Sequence, residues 1–408
     1  MKKVLSIIVT AIVFLVLLAQ IDDELSEQAV DLLNRLEADA ESESYLYLYG
    51  LFAKETDSPE SVGKTLLEEY KESITAESYQ LVDYPDSDKL PLPKGDAFCR
   101  SWEDGCLEYL FSSDIDAKAL LSKNKTLMTR SNTFLEFNEY KTLSKPTIRE
   151  VYPPYQYIAA AEHIKVLEAI SAYKDGYSKK AIDSLLEQFV KLRKSMELQD
   201  NLIGKLVFLM KLSEILDVLS VILSNEDMVA EKIPSLSQSE KSFYMIAARE
   251  FGMSYYTLQN LDRNPEFFEM GGNFPRWITR MVYKPNMTTN AVTPIYYRLE
   301  RLAQLSPSDF AKQSGTEDSV RLSTSKLRNF VGDTLIAISP EFDKYVARFH
   351  DFDAKLALFN QVHHLKLELH AMQNPYYGNE KPKEVDGGLC FSGPLKDIRN
   401  LRCLRVKI

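Results

Sequence analysis

Histidine is the first residue type here whose chemistry invites attention. The chain has five histidines, and three of them, His363, His364 and His370, lie close together. His364 and Glu368 stand four apart, which on a helix puts both on one face. His350 and Asp353 stand three apart. Imidazole nitrogens and carboxylate oxygens are zinc ligands, so His364 and Glu368 are the candidate metal pair. The spacing H-E-x-x-H is missing. The same stretch carries Val346, Phe349, Phe352, Leu356, Phe359, Val362, Leu365 and Leu369, which read as core packing. Histidines in the core or on the surface, without metal, are the preferred reading, and no cofactor is expected.

Nucleophilic catalysis finds little to stand on. There is no G-x-S-x-G elbow and no glycine loop of the Walker or dinucleotide type. Glu43-Ser44 and Glu77-Ser78 each resemble the glutamate–serine pair of helical lytic transglycosylases, envelope enzymes that work with a single glutamate. The resemblance covers two residues, and the Gly-Leu-Met-Gln stretch that follows in that family does not occur. No catalytic residue is assigned from it.

The four cysteines form two local pairs, Cys99 with Cys106 and Cys390 with Cys403. Neither pair has CxxC spacing or a histidine nearby, so disulfides are favoured over zinc. If Gly388–Ser392 and Arg402–Ile408 are strands, Leu389, Phe391, Leu404, Val406 and Ile408 share an apolar face. Side-chain alternation then puts Cys390 and Cys403 together on the opposite face. A last candidate is the stretch Asn264–Trp277, where Phe267, Phe268, Phe274 and Trp277 surround Gly271-Gly272. Exposed aromatics on a loop often bind something, so these four are the possible partner-binding residues. Rings tucked over a helical core are the alternative.

The elements that would position these groups begin with the N-terminus. Lys2 and Lys3 precede an uncharged, apolar run from Val4 to Ile21, followed by Asp22, Asp23, Glu24 and Glu27. A run of about 18 apolar residues is just enough to span a bilayer and is long for the core of a cleaved signal peptide. Residues 1–21 are therefore expected to be a retained anchor. Basic residues stay on the cytoplasmic side, so the expected placement is a bacterial inner-membrane protein, single-pass through residues 4–21, with the bulk in the periplasm. There the cysteines can oxidise.

The net charge of −10, and twelve acids against Arg35 and Lys54 between Asp22 and Glu60, exclude a phosphate-backbone binder. Scarce glycine, 15 in 408, favours helices. The expected fold class is mainly α, a multi-helix domain that could be an array of helical hairpins, with a small C-terminal β-hairpin. Asp22 to about Ala40, a start at Ser58-Pro59-Glu60, and Tyr155–Lys174 followed by Ser178–Met196 read as helices. Asn201–Ser224 is strongly apolar, yet Lys205, Lys211, Glu214 and Asp217 would be costly in lipid, so a buried central helix is expected. Ser237–Leu258 and a long helix from Ser339-Pro340-Glu341 to about Met372 complete the pattern. Tyr45–Tyr49 alternates, which fits either a short strand or aromatics between helices. Prolines in Ser144–Pro154 mark a linker. The expected divisions are 22–145, 146–373 and the hairpin appendix 374–408.

An anchor followed by an acidic helical arm is similar in layout to membrane-tethered lipase chaperones; no motif of theirs is present. The expected function is a non-enzymatic envelope factor that binds a protein partner in assembly or folding. The alternative is a periplasmic hydrolase or lyase with a glutamate or His/Glu site.

Overall fold

The computed structural model describes residues 2–36, 41–74, 85–263, 276–314, 328–337 and 341–406. Among them the chain is mainly helical. In order come α1 (Lys2–Leu18), α2 (Glu27–Asn34), α3 (Glu43–Tyr49), α4 (Pro59–Ser73), α5 (Cys106–Ser112), α6 (Ala117–Lys123), α7 (Lys125–Glu136) and α8 (Tyr155–Lys174). Then follow α9 (Ser178–Leu198), α10 (Leu202–Asn225), α11 (Tyr244–Asn260), α12 (Arg276–Val282), α13 (Pro285–Gln304), α14 (Pro307–Gln313), α15 (Phe330–Ala337) and α16 (Asp343–Phe359). Strands β1 (Lys383–Val385), β2 (Gly388–Cys390) and β3 (Cys403–Arg405) close the chain as an antiparallel sheet in that order.

Local chemistry explains the starts. Ser26, Ser42, Ser58, Asp116, Asn201 and Ser306 each accept a backbone N–H in the first turn of α2, α3, α4, α6, α10 and α14. That satisfies donors which a helix leaves orphaned. Gly176, at φ +83°, turns the chain between α8 and α9, a conformation that costs glycine little.

Helix α10 is the centre. Nineteen of its 24 residues are buried, and it packs against α8, α9, α16 and β3. A helix apolar on every side belongs in a core, as its sequence predicts. Helices α11, α13 and α16 continue the core, and α2 lies across α11 and α13. The predicted hairpin forms with Leu389 opposite Leu404 and Cys390 opposite Cys403. Leu389 and Leu404 are buried, and both predicted disulfides are present.

Of the two readings open for Tyr45–Tyr49 the strand falls away, and three other expectations change. Tyr45–Tyr49 is helix, because Ser42 caps it and Tyr45 and Tyr49, four apart, stack at 5.4 Å on one face. The helix expected from Asp22 begins only at Glu27. Asp22 instead lends its carboxylate to the start of α13, accepting from the N–H groups of Asn286 (2.9 Å) and Met287 (3.2 Å). The helix expected from Ser237 begins at Tyr244, since Ser237 and Glu240 bond each other's backbone N–H in a preceding turn. The long helix expected to reach Met372 leaves α geometry after Phe359, with a wider turn over Asn360–His364 and Lys366 at φ +50°. There Asn360 bonds the backbone of Ile233 and the His363 carbonyl accepts from Ala230. These contacts draw the chain away from the helix axis. Ser339 and Pro340 lie outside the described residues.

Candidate functional site

The best-built site lies where α9 ends and α10 begins. Asn201 caps α10 by accepting the Gly204 N–H at 2.8 Å, and its side-chain amide donates to the Tyr155 hydroxyl at 2.8 Å. Tyr155 in turn donates to Gln199 Oε1 at 2.9 Å and meets Tyr140 at 2.9 Å. Asp200 accepts from both the backbone N–H (2.8 Å) and the hydroxyl (2.6 Å) of Thr142. Gly204 is needed for this closeness: a Cβ there would fall 2.2 Å from Gln199 Oε1 and 2.4 Å from the Tyr155 hydroxyl. The first turn of α10 is thus pressed against rigid, hydrogen-bonded neighbours.

Beside that turn is a cavity of about 450 Å³. It is lined by Arg35 at the end of α2, by Tyr140 and Lys141, by Glu197–Asp200, by Lys205 of α10, and by Ser242, Tyr244, Met245 and Ile246 around the start of α11. Lys205 is only 1 % exposed. Among the described residues its ammonium makes no hydrogen bond and no ion pair. Burial pulls its pKa down to about 8, against the opposing pull of Glu197, Glu240 and Asp200. Two of those acids are engaged elsewhere: Asp200 is held by Thr142, and Glu240 is clamped by Arg193 at 2.5 and 2.6 Å. Glu197, the strongest of the three pulls, lines the same cavity without an ion pair to Lys205.

Two further donors on the same lining are unsatisfied. Gln199 Nε2 and Arg35 Nε are buried without hydrogen-bond partners. The rest of the Arg35 guanidinium is fixed by Glu300 (2.5 Å), by Asp31 (2.6 Å) and by the face of Tyr244 (3.9 Å). Buried polar groups are normally paired; Gln199 Nε2 and Arg35 Nε lie beneath the cavity wall with essentially no accessible surface, so the unpaired donor at the cavity is the Lys205 ammonium. Such a surface suits an acceptor or an anion. A lysine with a lowered pKa also carries a neutral fraction at ordinary pH.

Two other cavities are less suited. One of about 620 Å³ is lined by Tyr49, Phe52, Leu66, Leu92, Tyr152 and Tyr157 among others, and its Lys89 is already paired to Asp86 at 2.7 Å. One of about 770 Å³ lies at the turn between α8 and α9, over exposed Lys179 and Lys180.

The sequence candidates are dispersed. His350 donates from Nε2 to the Leu302 carbonyl at 2.9 Å and stacks on Phe310 at 4.3 Å. His363 bonds Ser220 at 2.7 Å. Burial drives both rings down to about 4. His364 donates to the Ala230 carbonyl at 3.0 Å. Glu368 lies beyond the end of the helix, so the shared face expected for His364 and Glu368 does not form. It is exposed and sits 3.2 Å from His370. No group of three or more potential metal-ligating side chains occurs among the described residues. Glu43 is exposed at the first turn of α3. Glu77, Phe267, Phe268 and Phe274 lie outside the described residues, while Trp277 stands 54 % exposed on α12.

Lys205 and its neighbours escape a reading by motif. The one trace they leave is a lysine next to glycine inside an apolar run, which sequence reasoning uses only against a membrane span. Compared with protein-family models, curated proteins and solved structures, the chain matches none.

Proposed function

We propose that this chain is a membrane-tethered binding protein, held by α1, whose helical body recognises a partner on the far side of the bilayer. One observation carries the reading. In α1, Val4, Leu5, Ile7, Ile8, Val9, Ile12, Val13, Phe14, Leu17 and Leu18 are all exposed, by 43–69 %. An apolar surface of that size left in water is unfavourable and demands an apolar surrounding. Seventeen residues at 1.5 Å each reach about 26 Å, a little under the roughly 30 Å hydrocarbon core. No helix among the described residues is long and apolar enough to cross a membrane by itself. A short span is accommodated by local thinning of the bilayer and by flanking residues at the interface.

The foot of α1 offers such residues. Gln20 donates to the Trp277 carbonyl at 2.8 Å and Arg328 donates to the Ile21 carbonyl at 2.9 Å. Trp277 and nearby Phe330 are 54 and 64 % exposed. Aromatic and basic side chains of this kind favour the headgroup region. The two disulfides fit an oxidising compartment. The net charge of −10 argues against nucleic acid as the partner.

The test is a reporter fused behind Ile21, together with membrane fractionation of the full chain. The reading expects an exported reporter and a chain that sediments with membranes and resists carbonate extraction. A cytosolic reporter and a chain recovered in the supernatant would refute it.

A further inference from the structure

We infer that the cavity at the α9–α10 junction is a binding site for a small molecule bearing an oxyanion, received by Lys205. The site deepens the binding half of the function proposed above. It does not depend on the tether, so an anion-binding chain found outside the membrane would refute only the tether.

Lys205 presents an unmet demand. A buried ammonium is costly unless a counter-charge or hydrogen-bond acceptor meets it. Lys205, at 1 % exposure, has no hydrogen-bond or ion-pair partner among the described residues, and Glu197, Glu240 and Asp200 act on it only through space. Gln199 and Arg35 line the same cavity, and their Nε2 and Nε atoms, also unpaired, lie beneath its surface. Of the acceptors nearby, Asp200 is committed to Thr142 and Gln199 Oε1 to Tyr155, while the Glu197 carboxylate stands at the rim without an ion pair to Lys205. The unpaired Lys205 ammonium is a donor carrying positive charge, so it is complementary to an oxygen acceptor carrying negative charge.

The donors are also held in place before any ligand arrives. Lys205 sits on the capped first turn of the most buried helix. Gln199 is fixed by Tyr155, and Arg35 by Glu300 and Asp31. Preorganised donors lose little freedom on binding. The cavity, about 450 Å³, falls within the range of small-molecule sites and is larger than an isolated phosphate needs. The shared chemistry is a carboxylate or phosphate group on a small organic body. Glu197 at the rim is exposed and disfavours a ligand that is anionic at both ends.

The experiment titrates the full chain in detergent with butyrate and, separately, with inorganic phosphate, by calorimetry. At least one probe binds the wild-type chain, and which one does assigns the oxyanion as carboxylate or phosphate. Lys205→Met loses about tenfold or more in affinity, as expected for a hydrogen bond to a charged group, and Lys205→Arg retains part of it. Absence of binding by both probes at millimolar concentration, or equal binding by Lys205→Met, overturns the site. Should Lys205→Met fail to fold, labelling of the wild-type chain decides. With trinitrobenzenesulfonate and peptide mapping, the bound probe protects Lys205 several-fold more than exposed Lys179 and Lys180. Equal protection of all three overturns the inference.

Discussion

Helix α10 treats buried charge in two ways along one length. In its middle every charge is met. Asp217 accepts from Lys355 of α16 at 2.7 Å and from the Arg405 backbone N–H of β3 at 3.2 Å, while Lys355 also reaches Ser213 at 2.8 Å. Glu214 meets His163 Nδ1 at 2.6 Å and pairs with Lys211. The other ring nitrogen of His163 donates to the Ala97 carbonyl at 2.6 Å. In the first turn of the same helix, Lys205 is as deeply buried as Lys355 and meets no partner among the described residues. Paired charge joins elements far apart in sequence and specifies how they pack. Unpaired charge does nothing for packing and costs stability, a pattern found where function competes with stability.

The contrast is breakable at several points. The largest effect belongs to Lys355→Met, which strands Asp217 in the core. Denaturant unfolding is expected to show a loss of about 3–5 kcal/mol, and a loss under 1 kcal/mol would mean the central pair is not structural. Next comes Cys390→Ser with Cys403→Ser. It opens a loop between residues 13 apart beside the strand that supplies the Arg405 N–H to Asp217. The expected cost is about 3 kcal/mol, read by the same unfolding curve.

The acid limb gives a third test. Burial pushes Glu214 up, but Lys211 and His163 outweigh it and hold the carboxyl down at about 2. A carboxyl lowered on folding stabilises above its ordinary value of 4.5, and that contribution is lost as pH falls towards 2. Glu214→Gln should therefore unfold with a shallower acid slope between pH 4.5 and 2; an unchanged slope removes the His163–Glu214 pair from the account. Glu250 on α11 behaves oppositely. Burial raises it to about 7, with Arg249 pulling down and Glu150 pushing up. Its stabilising effect is full below pH 4.5 and fades as pH rises through about 7. Glu250→Gln should flatten the stability curve across that window, a smaller change because Glu250 is only partly buried.

Legibility in the sequence followed the range of the interactions. Helices α8, α9 and α10 were readable almost to the residue, since apolar spacing and the Asp175-Gly176 break are local. The disulfide hairpin was readable because alternation fixes which side each cysteine takes. The break after Phe359 was not, because Ala230 and Ile233, more than a hundred residues earlier, supply the competing hydrogen bonds. The site was the least legible part. Arg35, Tyr140 and the Gln199–Lys205 junction come from three separate stretches, and what distinguishes Lys205 is a missing partner, which no spacing encodes. The histidine pair misled for a related reason: a shared helix face requires the helix to continue, and it does not.

The central claim is that Lys205 is buried for a ligand whereas Lys355 is buried for the fold. Unfolding free energies of Lys205→Met and Lys355→Met, measured side by side without added anions, test it most directly. The account predicts that Lys355→Met is several kcal/mol less stable than the parent, while Lys205→Met is as stable or more so. A Lys205→Met chain that loses as much as Lys355→Met would contradict it.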